Sequence, residues 1–409
     1  MVPNGWEKHP IGKLCKSIVP GRNKPKVFDG DIPWVTTPEI LGKYIPSKIQ
    51  KNFISQPVAK ECGAKIVPKG AVVIAAVGEL GLTAVATEDI ILNQQLHAFV
   101  CPNNLDNEYL AYFLSTQKAY MDSIASKTTI PYMNKTNCES IPILLPPLPE
   151  QQKIAKILST WDKAIATTEK LIATSQQQKK ALMQQLLAGK KRLVNPETGK
   201  VFEGGWKVHQ LQDICCKTIS YGIVQAGEDL PYGIPCVRVI DLSKKAMLSS
   251  EMIKTSEDIH NSYRKTILCE NEIMMALRGE IGLVKKVTPE LIGANITRGI
   301  ARLAPRESVD CDFLLWVLRS NSVKNDLLRK SGGSALQEIA LNSLRKVTVL
   351  IPTLPEQQKI ASVLTTADKE VELLQAKLAY LKDEKKALMQ QLLTGKRRVK
   401  VEEQLEIVS

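Results

Sequence analysis

The sequence predicts an α+β protein built twice: two related globular domains of short strands and helices, separated by two long helices that pair as an antiparallel coiled coil. Three observations predict this. LPEQQKIA stands at Leu148 to Ala155 and again at Leu354 to Ala361, 206 residues on. KKALMQQLL follows at Lys179 and recurs at Lys385, at the same offset. Between these marks, apolar residues recur in alternating steps of three and four, the spacing of a heptad seam.

The chain accordingly divides into a globular domain over residues 1–148, a helix over 149–192, a second globular domain over 193–353, a second helix over 354–400, and a tail over 401–409. Within the first domain, AVVIAAV (Ala71 to Val77) reads as a strand and YLAYFLST (Tyr109 to Thr116) as a helix. EIMMAL (Glu272 to Leu277) and FLLWVLRS (Phe313 to Ser320) are their counterparts in the second. Fainter echoes tie the two domains together: GWEKHPIGKLC at Gly5 with GWKVHQLQDIC at Gly205, IPWV at Ile32 with IPCV at Ile234, and GELG at Gly78 with GEIG at Gly279.

Each long helix carries start and stop signals. Pro149 and Pro355 suit the first turn, where a missing N–H costs nothing, and Glu150 and Glu356 stand at the positive end of the macrodipole. Gly189 and Gly395 follow the last apolar residues as C′ glycines, with basic residues at the negative end. The first seam runs through Ile154, Leu158, Trp161, Ile165, Ile172, Leu182 and Leu186, with Thr168, Ser175 and Lys179 as polar members. The second runs through Ile360, Leu364, Val371, Leu374, Leu378, Leu381, Leu388 and Leu392, with Lys385 as its polar member. If Ile154 faces Leu392, Lys385 lies beside Trp161 in a cation–π contact and Lys179 beside Ala367. Two such halves, related by a pseudo-twofold axis, form a rod with a similar head at each end. That plan suits touching two half-sites on duplex DNA.

The net charge of +13 favours a polyanionic partner. It is distributed: +3 over 1–148, +6 over 149–200, +3 over 201–354 and +1 over 355–409. The nine cysteines (15, 62, 101, 138, 215, 216, 236, 269, 311) are odd in number and form no CxxC pair, so they read as reduced thiols and not as a zinc site. The first residues lack an apolar export core, and no apolar run is long enough to span a bilayer. A soluble, cytoplasmic protein is expected.

A search for catalytic motifs comes back empty. GxxxxGK[ST] and the Gly-rich dinucleotide fingerprint are absent, the double proline at Pro146 follows Leu145 and not Asn or Asp, and the four histidines are dispersed. DEKK at Asp383 sits on the charged flank of a heptad helix. No catalytic residue and no metal ligand is assigned. What remains is recognition chemistry. In the first domain Arg22, Lys24, Lys26, Trp34, Thr36 and Thr37 cluster in GRNKPKVFDGDIPWVTTPE, where basic and hydroxyl groups can hold phosphates or base edges. The competing reading makes Trp34 core and the lysines solvated. In the second domain Tyr221 and Gln225 lie in SYGIVQAGED, and Arg238, Arg278 and Arg298 punctuate apolar strands, as readers of bases or as members of ion pairs. The first domain has one arginine to 14 lysines and the second nine to 11, so the two heads differ where they touch their target.

These features together resemble the specificity subunit of Type I restriction-modification enzymes over essentially the whole chain. The paired LPEQQKIA openings and KKALMQQLL endings carry the resemblance most strongly, with TTIPYMN at Thr128, IPWV, GEIG and NITRGIARL at Asn295 in support. The resemblance implies two target recognition domains reading the two halves of a split double-stranded DNA site, and a chain with no active site of its own. It implies docking of two methyltransferase subunits that bind S-adenosylmethionine and methylate adenine, and through them two motor-nuclease subunits that use ATP and Mg²⁺. The alternative from another class is a coiled-coil adaptor whose heads bind protein. Against it stand the basic charge and an aromatic content of only 5%.

Overall fold

The computed structural model describes residues 2–21, 23–45, 50–126, 129–331 and 338–401. Four helices organise the fold: α1 (Asn107–Ser115), α2 (Leu148–Leu186), α3 (Cys311–Arg319) and α4 (Leu354–Leu392). The chain gathers into two compact units, one of Met1–Glu169 with Lys377–Ser409 and one of Lys170–Ala376. Each unit therefore holds one globular domain and a stretch of both long helices. The linear division into head, helix, head, helix follows the chain but not the packing.

In the first unit a five-stranded sheet runs in the order Lys16–Ile18, Leu96–Val100, Val72–Ala75, Thr83–Ala86, Tyr44–Ile45. A four-stranded sheet has the order Phe53–Ile54, Ile32–Val35, Ile90–Leu92, Ile66–Val67. Glu7–Pro10 pairs with Pro142–Leu145 in a two-stranded ribbon. Val72–Ala75 is buried at every position, which is why AVVIAAV is apolar throughout and does not alternate.

The second unit repeats this plan. Its larger sheet is Ser220–Tyr221, Ile300–Leu303, Ile273–Ala276, Val284–Lys286, and its smaller one Ile253–Thr255, Ile234–Val237, Asn295–Ile296. Lys207–Gln210 pairs with Thr348–Ile351 in the matching ribbon. The repeat extends to the strand pairing: Trp34 lies opposite Ile91 in a parallel pair, and Cys236 lies opposite Asn295 in another.

Both α2 and α4 are 39 residues long, about 60 Å each at the helical rise. Both end where expected: Gly189 and Gly395 adopt φ of 66° and 68°, and the Lys191 and Arg397 amides reach back to the carbonyls of Gln185 and Gln391. Every predicted seam residue is buried or half-buried. In the first unit Ile154, Leu158 and Leu392 share one buried cluster with Trp6, Ile11, Tyr109 and Phe113. In the second, Leu186, Ile360 and Leu364 share another with Leu211, Phe313 and Trp316. The helix ends are thus domain core as well as seam.

Ion pairs within each unit give the direction of the pairing. In the first, Asp162 holds Lys385 at 2.5 Å and Glu169, further along α2, holds Lys382 at 2.7 Å, earlier along α4. The helices run antiparallel. In the second unit Lys179 meets Asp368 at 2.6 Å, and Ser175 donates to Glu370 at 3.4 Å, so the polar members of the seam have polar partners. One expectation is corrected. The Lys385 ammonium sits over the Tyr112 ring at 5.3 Å, not over Trp161. Asp162, one residue beyond Trp161, takes the charge, and the Tyr112 hydroxyl from α1 donates to that same carboxylate.

The LPEQQ segments show what the repeated residues do. Gln151 is fully buried; its carbonyl accepts the Asp106 amide at 2.8 Å and its NH₂ donates to the Asn104 and Pro146 carbonyls. Gln357 does the same with the Asp310 amide (2.8 Å) and the Ser308 and Pro352 carbonyls. Asp106 and Asp310 are in turn the N-caps of α1 and α3, accepting from the amides of Tyr109 and Phe313. The preceding glutamates are buried too. Glu150 takes two bonds from Arg398, each 2.7 Å, and one from Trp6 Nε1 at 3.0 Å. Glu356 takes two from Arg192 at 2.6 and 2.7 Å, whereas Trp206 Nε1 has no partner among the described residues.

This difference predicts unequal mutants. Arg192→Ala leaves the Glu356 carboxylate buried without a cation and is expected to cost on the order of 3–5 kcal/mol. Arg398→Ala leaves Glu150 its Trp6 bond and removes a more exposed guanidinium, so its cost is expected to be smaller. Denaturant midpoints, with hydrogen exchange at the first turns of α2 and α4, measure both. A second prediction concerns acid. His97 is buried beside the Ser17 hydroxyl, and burial pushes its imidazole down to about 4 from an ordinary value of 6.5. The unfolded chain therefore takes up this proton before the folded one does. Stability is expected to fall as pH drops from 6.5 towards 4, by at most about 3 kcal/mol from this residue. His97→Gln should flatten that part of the stability profile.

Candidate nucleic-acid interface

The loop after Ser220–Tyr221 is tied down by its backbone. The Ile223 amide donates to the Ile296 carbonyl, and the Arg298 amide donates to the Ile223 carbonyl, each at 2.8 Å. Gly222 permits this approach: a Cβ there would meet the Ile296 oxygen at 1.8 Å. The strand Ile234–Val237 leads into a short helix whose N-cap is Arg238, and the strand Ile273–Ala276 leads out towards Arg278. These three chain segments converge, so that Arg238, Arg278 and Arg298 line one open concavity of about 560 Å³ with Val224, Val239 and Ile240.

The three arginines are not alike. Arg238 donates to both oxygens of Asp241, at 3.0 and 3.2 Å, and Asp241 is fully buried. Burial opposes the charge on Asp241, but the Arg238 hydrogen bonds prevail and hold its carboxyl below the usual range. Arg238 is therefore tied to a fixed anionic partner. Arg278 and Arg298 are exposed and form no ion pair among the described residues. Tyr221, 43% exposed, and Gln225, also exposed, flank the concavity along the chain but are not part of its lining.

The residues singled out in the first domain sort differently. Arg22 lies outside the described residues. Lys24 and Lys26 are exposed, and the Lys24 ammonium stands 6.0 Å from the Trp34 ring. Trp34 itself is core, packed with Ile54, Ala59 and Ile91. Thr36 and Thr37 also serve the scaffold. The Thr36 amide and hydroxyl both donate to Glu39 in a capping box, at 2.9 and 2.8 Å, and the Thr37 hydroxyl donates to Gln95 Oε1 at 3.2 Å. TTIPYMN begins at Thr128, which is outside the described residues.

The first unit has its own concavity, of about 190 Å³, where Lys24 and Trp34 of the basic stretch meet a turn that carries no sequence motif. Asn23, Lys24, Asn93, Gln94 and Gln95 line it, with the Trp34 edge. Its polar groups come from separate stretches of chain, and only the parallel pairing of Ile32–Val35 with Ile90–Leu92 brings them together. Among the described residues no three His, Cys, Asp or Glu side chains gather to hold a metal ion, and no helix is long and apolar enough to cross a membrane.

Comparison with known proteins agrees with this arrangement. The family model described as the Type I restriction modification DNA specificity domain matches twice, over residues 3–175 and 203–383. The MjaVIII specificity subunit of a Type I restriction enzyme from Methanocaldococcus jannaschii is 28% identical, over 98% of this chain and 94% of its own length. Among solved structures, the S subunit of a Type I restriction-modification system from M. genitalium superposes with a TM-score of 0.57 at 15% identity, covering 96% of this chain and 98% of that one. The HsdS subunit from Thermoanaerobacter tengcongensis gives 0.52 at 20% identity, covering 97% and 98%. With a matching domain in each half and the shared fold over nearly the full length, the chain belongs to the DNA specificity subunits of Type I restriction-modification systems.

Proposed function

We propose that each unit reads one half of a two-part double-stranded DNA site, and that the repeated helices dock two copies of a methyltransferase subunit, which in turn carry the motor-nuclease subunits. On this reading the chain supplies address and assembly. S-adenosylmethionine, ATP and Mg²⁺ belong to its partners.

One observation carries the reading: the two halves agree at exposed positions of the helices and disagree in the concavities. Burial accounts for the repetition of Gln151, Ile154 and Leu186. It does not account for Lys180, Ala181, Gln184 and Gln185, which are exposed and reappear as the exposed Lys386, Ala387, Gln390 and Gln391. Residues kept identical without a folding need suit identical partners. Among them Gln184 and its counterpart Gln390 line two equivalent apolar grooves, one within each unit. The first, about 510 Å³, is lined by Phe113, Ile143, Met389 and Leu393. The second, about 800 Å³, is lined by Val317, Val349, Met183 and Leu187 at the corresponding positions.

Two experiments test this. The purified chain alone carries only +3 over residues 1–148 and +3 over 201–354, so it is expected to bind duplex DNA weakly and with strong salt dependence. Tight, salt-insensitive binding in a gel shift without partners would defeat the assembly role. The second test uses the fragment ending near Asn195. In the intact protein Leu392, Leu393, Lys385 and Arg398 complete the first unit, and Leu186, Leu187, Lys179 and Arg192 are their equivalents in the repeat. A second copy of the fragment can supply them, since a twofold contact needs only a self-complementary surface. The fragment is expected to sediment as a dimer, weakened by the polar Thr168, Ser175 and Lys179. With methyltransferase subunits it should mark adenines in an inverted repeat of the first half-site. An active dimer that still marks the original asymmetric site would show that the units do not read separate halves.

A further inference from the structure

The two concavities share the turn that carries Asn93 and Gln94 in the first unit and Thr297 and Arg298 in the second, and backbone hydrogen bonds establish the correspondence. Asn93 N donates to Val35 O and Thr297 N to Val237 O, both at 2.9 Å. Ala76 N donates to Gln95 O and Leu277 N to Gly299 O, both at 2.8 Å. Gln94 and Arg298, which lie between these bonds, are therefore the same position of the repeat. Val77 and Arg278 correspond as well, through isolated bridges to Tyr132 and Glu338. The backbone is common and the side chains change class: the Gln94 carboxamide stands where the second unit has the Arg298 guanidinium, and Val77 stands where it has Arg278.

From this we infer that the concavity of the first unit reads an adenine, through the exposed Gln94, and that of the second a guanine, through Arg278 and Arg298. The inference rests on the DNA-reading role proposed above. In the major groove guanine offers two acceptors, N7 and O6, while adenine offers one acceptor, N7, and one donor, N6. A guanidinium only donates, so a pair of its N–H groups matches guanine; a carboxamide both donates and accepts, so it matches adenine. The second concavity is also set up to point its groups. Gly299 has no side chain, and a Cβ there would lie 2.9 Å from Arg278 Nε, so the Arg278 stem rests against bare backbone. The first unit has Gln95 at that position. Arg238 is excluded from the reading pair because both Asp241 oxygens already hold it; it is a positioning residue.

The test is selection of bound sequences from a randomised duplex library by the full chain in complex with methyltransferase subunits, for the wild type, Arg298→Gln, Arg278→Gln and Gln94→Ala. All three side chains are exposed, and melting curves check that the variants stay folded. The wild type is expected to enrich a two-part sequence. Arg298→Gln and Arg278→Gln should each relax a guanine in one part only, with a loss of roughly 5- to 140-fold on the original site. Gln94→Ala should relax an adenine in the other part. The inference is overturned if the arginine variants weaken all sequences alike and lower the slope of log affinity against log salt by about 1, the signature of phosphate contacts. It is overturned equally if Gln94→Ala and Arg298→Gln act on the same part, or if the relaxed base is not guanine. A wild-type complex that enriches no sequence overturns the DNA-reading role itself, and this inference with it.

Discussion

Gln151 and Gln357 are the constraint on which the architecture depends. Each leaves a long helix in its first turn, enters a globular domain, and meets three backbone groups there. One of those groups belongs to the N-cap of the helix that forms the domain core. A carboxamide is the one neutral side chain that can accept from an amide and donate twice to carbonyls in a dry site. Leaving any of these groups unmet in the core costs about 1–3 kcal/mol. A single residue thereby fixes where the long helix begins relative to the sheet it serves, and through α2 and α4 the position of everything attached to that sheet within its unit.

The buried glutamate before each glutamine adds the opposite requirement, that the far end of the other helix be present. Arg192 and Arg398 reach Glu356 and Glu150 from beyond the C′ glycines and also donate to the Gly204 and Asn4 carbonyls. Start and finish of the two helices are therefore joined within each unit by charge as well as by leucine packing. The duplication of LPEQQKIA and of KKALMQQLL is one fact with two ends: the glutamate needs a partner helix that stops at the matching place.

How much of this is legible in the sequence depends on whether a residue's role is local or assembled. The heptad seam from Ile154 to Leu186 and from Ile360 to Leu392 is legible because helical periodicity survives in one dimension. So are the strands around Val73 and Met274. Thr36 and Thr37 bond within the scaffold, and the Thr-x-x-Glu spacing to Glu39 is a capping-box signal in the sequence itself. The seam alone sets Lys385 on Trp161; Tyr112, which comes from the globular domain, is not visible to a heptad argument. Arg238, Arg278 and Arg298 stand out as charges interrupting apolar strands, but that they share a concavity comes only from the sheet order. Asn93, Gln94 and Gln95 give no signal at all, because an amide in a polar turn is indistinguishable from solvent-facing filler until a parallel strand pair sets it beside Asn23 and Lys24.

The closure of the first unit by Leu392, Leu393 and Arg398 also bears on the order of events at the ribosome. The second unit is one continuous stretch, Lys170–Ala376, whereas the first is built from both ends of the chain. Made first, the amino-terminal domain must wait for more than two hundred further residues before its last core side chains arrive, roughly 10–45 s at ordinary rates of synthesis. During that interval Trp6 and Ile11 lack the leucines that will cover them, and the domain synthesised later has all its parts sooner. Vectorial synthesis and sequential folding therefore run in opposite directions in this chain, and the amino-terminal half is the one that most needs protection while it is being made.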